Sequence, residues 1–175
     1  MKIAFFGTHG TGKTTLAHEL MSKLKKTGVD AGFVGEVARN CPFPINEGTT
    51  KKSQIWIILN QIIKELEAEE KSDVLICDRS VLDGYIYYVN KFGRSNVLEP
   101  LVKEHLKTYK RLVKVPIRGG FLKKDKVRST DKEFKKRIDL QFNKLLKVLK
   151  VKYTELNKED KTDEQIVLRV LSTLE

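Results

Sequence analysis

The chain has 175 residues, 40% of them apolar and 33% charged, with a formal net charge of +11. This length and apolar content fit a single domain over residues 1–175 with a continuous core, and exclude a disordered chain. No stretch reaches the roughly 18 apolar residues of a membrane span, and Met1 to Phe6 is too short for a signal-peptide core, so membrane insertion and secretion are disfavoured. Cys41 and Cys77 stand far apart, with no Cys-x-x-Cys and no nearby histidine pair. They suggest neither a disulfide framework nor a zinc site, and a reducing, cytoplasmic compartment is expected. The positive charge is concentrated. Residues 91–153 hold 20 Lys/Arg against 6 Asp/Glu, and the remainder of the chain is slightly acidic. Such a region either attracts polyanions or forms solvated helix faces.

In chain order, Lys2 to Phe6 is a short apolar run ending in glycine, which predicts a buried parallel strand. Leu16, Leu20 and Leu24 predict a helix from Thr14 to about Lys26, stopped at Gly28. Ala31 to Gly35 reads as a second strand, and Cys41 to Gly48, with two prolines, as loop. Ile55, Ile58, Leu59, Ile62, Ile63 and Leu66 mark one face of a long helix, and Glu65 to Glu70 form its solvated end. Asp73 to Cys77 is a third strand. Tyr85, Tyr88, Val89 and Phe92 predict a helix interrupted near Gly93, followed by another over Val97 to Lys107. Arg111 to Ile117 is a strand candidate, and Arg118 to Thr130 is a basic loop containing glycine. Phe134, Ile138, Phe142, Leu145 and Leu149 mark an amphipathic helix, followed by a short strand at Val151 to Leu156 and a last helix from Thr162. This alternation predicts an α/β fold, with a parallel sheet covered on both faces and right-handed crossovers.

Between the first strand and first helix, Gly7-Thr8-His9-Gly10-Thr11-Gly12-Lys13-Thr14 satisfies Gly-x-x-x-x-Gly-Lys-Ser/Thr in full. Glycines let the backbone curl so that successive N–H groups face an anion, and the helix N-terminus adds partial positive charge. The guest is the phosphate tail of a nucleoside triphosphate. Lys13 is placed to reach the β- and γ-phosphates and the Thr14 hydroxyl to ligate Mg²⁺, with Thr15 beside them. His9 is read as a side chain at a variable position of the turn.

Sites in open parallel sheets form at the carboxyl ends of strands. Glu36-Val37-Ala38-Arg39 follows the second strand, and Asp78-Arg79-Ser80 follows the third. Asp78 sits where the second acidic element of such proteins holds Mg²⁺; alternatively Asp78 or Ser80 caps the helix starting near Val81. Arg79 weighs against capping alone, because a guanidinium at a strand tip is costly unless an anion meets it.

Taken together, the phosphate loop, Glu36-x-x-Arg39, Asp78-Arg79-Ser80 and the basic loop resemble the P-loop nucleoside and nucleotide kinases, among them deoxynucleoside kinases, thymidylate kinases and the ribosylnicotinamide-kinase type. The resemblance implies a three-layer P-loop fold with a five-stranded parallel sheet. It implies an ATP- and Mg²⁺-dependent phosphotransferase. Glu36 would then approach the acceptor hydroxyl, Arg39 would help hold the acceptor, Asp78 would support Mg²⁺, and Arg79 would steady Glu36 or a phosphoryl oxygen. Residues 118–130 would form a mobile lid whose Arg118 and Arg128 close on the transferring group, with Gly119-Gly120 as hinge or ordinary connection. The chain is shorter than such kinases, and its lid is richer in lysine than arginine.

Trp56 either stacks on an acceptor base or belongs to the core, and Tyr85 and Tyr88 share that ambiguity. His18 and His105 are assigned to the surface, and Cys77 is expected to be inert. Asn157-Lys158-Glu159-Asp160 fits the guanine-reading Asn-Lys-x-Asp of small GTPases, but Asp78-Arg79-Ser80-Val81 lacks their Asp-x-x-Gly, so the tetrapeptide reads as a polar turn. The expected partners are ATP and a small acceptor, with no membrane. The basic C-terminal half leaves open a kinase or ATPase acting on DNA or RNA. A nucleotide-switched binding protein and a homodimer also stay open.

Overall fold

The computed structural model describes residues 1–117 and 132–156. Five parallel strands form one sheet: β1 (Lys2–Phe6), β2 (Ala31–Val34), β3 (Val74–Asp78), β4 (Arg111–Lys114) and β5 (Thr154–Glu155), in the spatial order β2-β3-β1-β4-β5. The helices are α1 (Lys13–Lys26), α2 (Lys51–Glu69), α3 (Val81–Phe92), α4 (Leu98–Leu106) and α5 (Lys132–Val148). A 3₁₀ turn at Val37–Asn40 precedes the proline-containing loop, and a second, Asn46–Gly48, ends it. None of the described helices is long and apolar enough to cross a membrane.

The period-two geometry of β1 divides the core. Ile3 and Phe5 join Leu16, Ala17 and Leu20 of α1 on one face. Ala4 and Phe6 point the other way, into a cluster fed by α2, α3, α4 and α5. Three layers result, as the alternation of strands and helices predicts. β1 pairs in parallel with both β3 and β4, in the register Phe5 opposite Asp78 and Phe6 opposite Lys114. The carboxyl ends of β1, β2 and β3 therefore lie side by side.

Observed boundaries follow the predicted ones with trimmed strand ends: β2 stops at Val34, β4 at Lys114, and β5 is only Thr154–Glu155. Gly93, with φ 77°, ends α3 where the interruption is expected. The last helix from Thr162 and the polar turn at 157–160 fall outside the described residues.

Helix α2 departs from its predicted orientation. Its buried side is Ser53, Gln54, Ile57, Ile58, Gln61 and Glu65, while Ile55, Leu59, Ile63 and Leu66 of the apolar face are exposed. Glu65, expected at a solvated end, is fully buried in an ionic cluster. Lys2 Nζ lies 2.9 Å from its carboxylate and His105 Nε2 lies 2.7 Å away. Tyr109 Oη and Gln61 Nε2 donate to it at 2.7 and 2.8 Å. Four partners stabilise the charge against its desolvation and hold its pKa below the usual carboxylate value despite burial. His105 is correspondingly buried, not a surface residue. Tyr85 and Tyr88 are core, and Cys77 is buried, with its thiol pKa pushed well up by desolvation.

Candidate functional site

β1 feeds directly into the glycine-rich turn. Gly7 and Gly12 adopt φ of 131° and 89°, conformations that side chains resist, and a Cβ on Gly7 would stand 2.8 Å from the Val115 carbonyl oxygen. Gly12 is the N-cap of α1 and supplies no capping side chain, so the positive end of the helix dipole faces the turn. Lys13 is buried there, and its Nζ donates to the Thr8 carbonyl oxygen at 2.6 Å and to Thr11 Oγ1 at 3.3 Å. Burial, aided by Arg79, lowers its pKa to about 7. An anion entering the turn would restore its charge. Thr15 is exposed on the outer side of α1.

Thr14 Oγ1 donates to Asp78 Oδ2 at 2.6 Å, which joins the start of α1 to the end of β3. One hydroxyl and one carboxylate at the mouth of an anion-binding turn match the donor set that Mg²⁺ takes from proteins, the remaining ligands being waters and phosphate oxygens. Among the described residues no cluster of three or more His, Cys, Asp or Glu could cage a metal by itself.

Arg79 follows with φ 93°, rare for a non-glycine residue, and its surroundings hold it there. Its Nε donates to Glu36 Oε1 at 2.7 Å, Nη2 lies 2.6 Å from the same oxygen, and Nη1 lies 3.3 Å from Asp83 Oδ1. Arg39 Nε donates to Glu36 Oε2 at 2.8 Å. Burial raises the pKa of Glu36, but Arg79 and then Lys13 outweigh it and bring the value down to about 2. In the reverse direction burial disfavours the charged Arg79, and Glu36 overcomes it.

The turn residues 10–14, Glu36, Asp78 and Arg79 line one small cavity. A second cavity, of about 40 Å³, shares Glu36 and Arg79 and is walled by His9, Gln54, Ile57, Gln61 and Tyr87. Glu36 and Arg79 thus stand on the border between an anion nest and a roomier, mostly apolar pocket. Trp56 and Arg39 lie outside that pocket. They line a neighbouring groove between β2 and α2 that also touches Glu36, and Trp56 packs partly against the core. Arg118 and Arg128 fall outside the described residues.

His9 is buried rather than displayed on the turn. Its Nδ1 lies 3.0 Å from Tyr87 Oη, and its ring stacks on Phe134 at 5.9 Å and 27°. Burial, then Arg79, Lys13 and Lys135, lowers its pKa to about 4, so the ring is neutral at pH 7. Among the described residues, His9 Nε2 and Gln54 Oε1 are buried atoms without a hydrogen-bond partner. Both residues line the larger cavity.

Three contributors escape sequence reasoning. Asp83 accepts from the Gly7 amide at 3.2 Å and from the Ser80 amide and hydroxyl at 2.9 Å, in a capping box that its spacing from Ser80 could have revealed. Ser80, not Asp78, therefore caps α3. Tyr87 is hidden in an aromatic helix. Lys135, one of many lysines in a basic stretch, is buried and donates to the Gly10 carbonyl oxygen at 3.0 Å. No local signal separates it from its neighbours.

A family profile described as an AAA domain matches residues 2–163. No curated protein sequence matches the chain. Among solved structures, a deoxyadenosine kinase from M. mycoides with products dCMP and dCDP bound superposes with a TM-score of 0.67 at 17% identity, covering 99% of this chain and 98% of that one. The dATP-bound form of that enzyme gives 0.67 at 18%, covering 100% of both chains. A thymidylate kinase from Ehrlichia chaffeensis gives 0.67 at 20%, covering 100% of this chain and 98% of that one. The chain belongs to the AAA domain family and has the fold of the P-loop nucleoside and nucleotide kinases.

Proposed function

We propose that the protein transfers the γ-phosphoryl group of ATP to a hydroxyl or phosphate oxygen of a nucleoside, nucleotide or related small metabolite. One observation carries the reading: Glu36 and Arg79 line both the anion nest and the adjoining cavity, so donor and acceptor would meet across them. Backbone amides of the turn and Lys13 would hold the β- and γ-phosphates. Thr14 and Asp78 would hold Mg²⁺, which supplies charge neutralisation of the phosphates when bound. In the transfer, the acceptor oxygen forms a bond to the γ-phosphorus, the bond to the bridging oxygen breaks, and ADP leaves. Glu36, ionised at pH 7, would accept the hydrogen bond of the acceptor hydroxyl and orient it. A carboxylate with a pKa of about 2 is a weak base, which suits a loose transition state in which proton loss comes late. Arg79 would stabilise charge on the equatorial oxygens, while Tyr87 fixes the neutral His9 ring. The unsatisfied Gln54 Oε1 and His9 Nε2 would receive polar edges of the acceptor.

The test is turnover of ATP with Mg²⁺ against a panel of nucleosides and nucleotides, read as phosphorylated acceptor and ADP. Activity that Lys13→Ala abolishes supports the reading; nucleotide binding without transfer to any acceptor rejects it. The local +14 of residues 91–153 favours a second reading, in which the acceptor is an end of DNA or RNA. That reading requires polynucleotide binding that weakens steeply with salt.

A further inference from the structure

Much of the positive charge in residues 91–153 is matched close by. Arg94 and Lys103 pair with Glu99, Lys107 with Glu104 and Lys114 with Glu155, while Lys135 donates to the Gly10 carbonyl. Lys110, Arg111 and Lys152 are different. They line one pocket of about 280 Å³ with Leu112, Tyr153 and Thr154, and no acid among the described residues lines it. Cations gathered around one concavity repel one another, and an entering anion relieves that repulsion.

The fold builds the concavity. β5 pairs only with Val113 and Lys114, so among the described residues no strand continues the sheet beside Arg111 and Leu112. Leu112 is buried, Lys110 and Lys152 are exposed, and Arg111 is half-buried, its Nη1 donating to the Lys110 carbonyl oxygen at 3.2 Å. Tyr153 is 39% exposed, and an edge contact with Phe6 at 5.9 Å and 83° steadies its ring without covering it.

The charge continues past the pocket. Lys147, in the last turn of α5, and Lys150, just after it, are both exposed and lie five and two positions before Lys152. Lys147 also answers the negative end of the helix dipole. Lys150 holds φ 53°, a conformation that glycine adopts more readily after a helix. An aromatic ring among converging cations suits a base and its phosphate, and cations continuing beyond it suit a chain of phosphates rather than a mononucleotide. An anionic membrane instead requires apolar side chains projecting past the cations, and Leu112 is buried.

The Lys110 amide bonds the Lys2 carbonyl oxygen at the amino end of β1, whereas the nest opens at the carboxyl end. The five residues of β1, about 16 Å of strand, separate the level of Lys110 from the nest. We infer that the open edge of β4 carries a second anion site that binds single-stranded nucleic acid, with Lys110, Arg111 and Lys152 on phosphates and Tyr153 stacked on a base. This site acts whether or not the protein transfers phosphate.

Fluorescence anisotropy of a labelled oligothymidylate tests this on the full chain. Wild type and Lys13→Ala should bind it alike, because the nest takes no part. With at least three phosphate contacts, the logarithm of the association constant should fall against the logarithm of salt with a slope of about −2 or steeper. Lys110→Ala/Lys152→Ala should make that slope shallower by about 1.4 and weaken binding at least about tenfold at low salt. Lys25→Ala/Lys26→Ala removes the same charge from exposed positions at the end of α1 and should change little. Tyr153→Leu should weaken binding at least about fivefold, whereas Tyr153→Phe keeps the stacking ring and should not. Absence of binding overturns the inference, as do equal losses in the two lysine pairs, indifference to Tyr153→Leu, or loss of binding in Lys13→Ala. So does a protein that ignores the oligonucleotide and binds anionic phosphatidylserine vesicles.

Discussion

Replacing Glu36 by glutamine probes both the electrostatics and the chemistry of the site. Glu36 accepts from Arg79 at 2.7 Å and from Arg39 at 2.8 Å, and Arg79 is only 12% exposed. The amide keeps one acceptor for Arg79 but turns an NH₂ toward the Arg39 donor, and the buried guanidinium loses its principal counter-charge. Breaking a buried pair costs about 3–5 kcal/mol. Asp83, 3.3 Å from Nη1, retains part of the compensation, which places the expected loss near the lower end. Depression of the Glu36 pKa from 4.5 to about 2, which arises chiefly from the same Arg79 contact, corresponds to about 3 kcal/mol of stabilisation at neutral pH. In a chain of this size such a loss lowers Tm by roughly 6–12 °C. Calorimetry of Glu36→Gln, of Arg79→Met and of the double variant should show the double to be less destabilised than the sum. Turnover should fall at least about a hundredfold in the glutamine variant, on the scale of a lost positioned acid–base group, with ATP affinity nearly unchanged. A stability loss below about 1 kcal/mol would refute the electrostatic reasoning, and full activity would refute the acceptor site.

Stability should also depend on pH through the same groups. Glu36 binds fewer protons folded than unfolded, so its contribution is complete above about 4.5 and disappears as pH falls toward about 2; acid titration of Glu36→Gln should lack that component. Lys13 likewise holds fewer protons when folded, so the ligand-free protein should gain stability as pH rises from about 7 to about 10.5, and Lys13→Met should flatten that slope while losing nucleotide affinity. Gly7→Ala brings a Cβ against the Val115 carbonyl at a left-handed φ and should cost about 2–3 kcal/mol in urea unfolding. Glu65→Gln leaves the buried Lys2 ammonium with Glu69, 3.0 Å away and partly exposed, as its remaining carboxylate, and should cost about 3 kcal/mol, far more than a substitution at a solvated helix end would.

That last contrast shows where the sequence stops being legible. The phosphate loop is contiguous, so its glycines, Lys13 and Thr14 can be read directly, and the strand-end rule brings Glu36, Asp78 and Arg79 to it from two other strands. Apolar periodicity finds α2 but misorients it. Its inward side is polar because Glu65 is satisfied by Lys2, His105 and Tyr109, partners up to 63 positions away that no local pattern exposes, and Gln61 in turn donates to Glu65. His9, Tyr87 and Lys135 are hidden for the same reason, each acquiring its place only when α3 and α5 close over the turn. Trp56 shows the converse: an aromatic residue near the site by sequence is rotated into the adjoining groove by the helix that carries it.

The carboxylate of Glu65 also constrains any re-tailoring of the larger cavity. Gln61, on its wall, donates to the same oxygen that receives the Tyr109 hydroxyl, and that hydroxyl accepts from the Val81 amide at the start of α3. Altering selectivity at Gln61 therefore tugs on the neutralisation of the central strand's lysine. Gln54, two turns earlier on the same wall, donates to Thr49 rather than to that cluster, so on the proposed function it is the position at which to seek a changed acceptor preference without loosening the sheet.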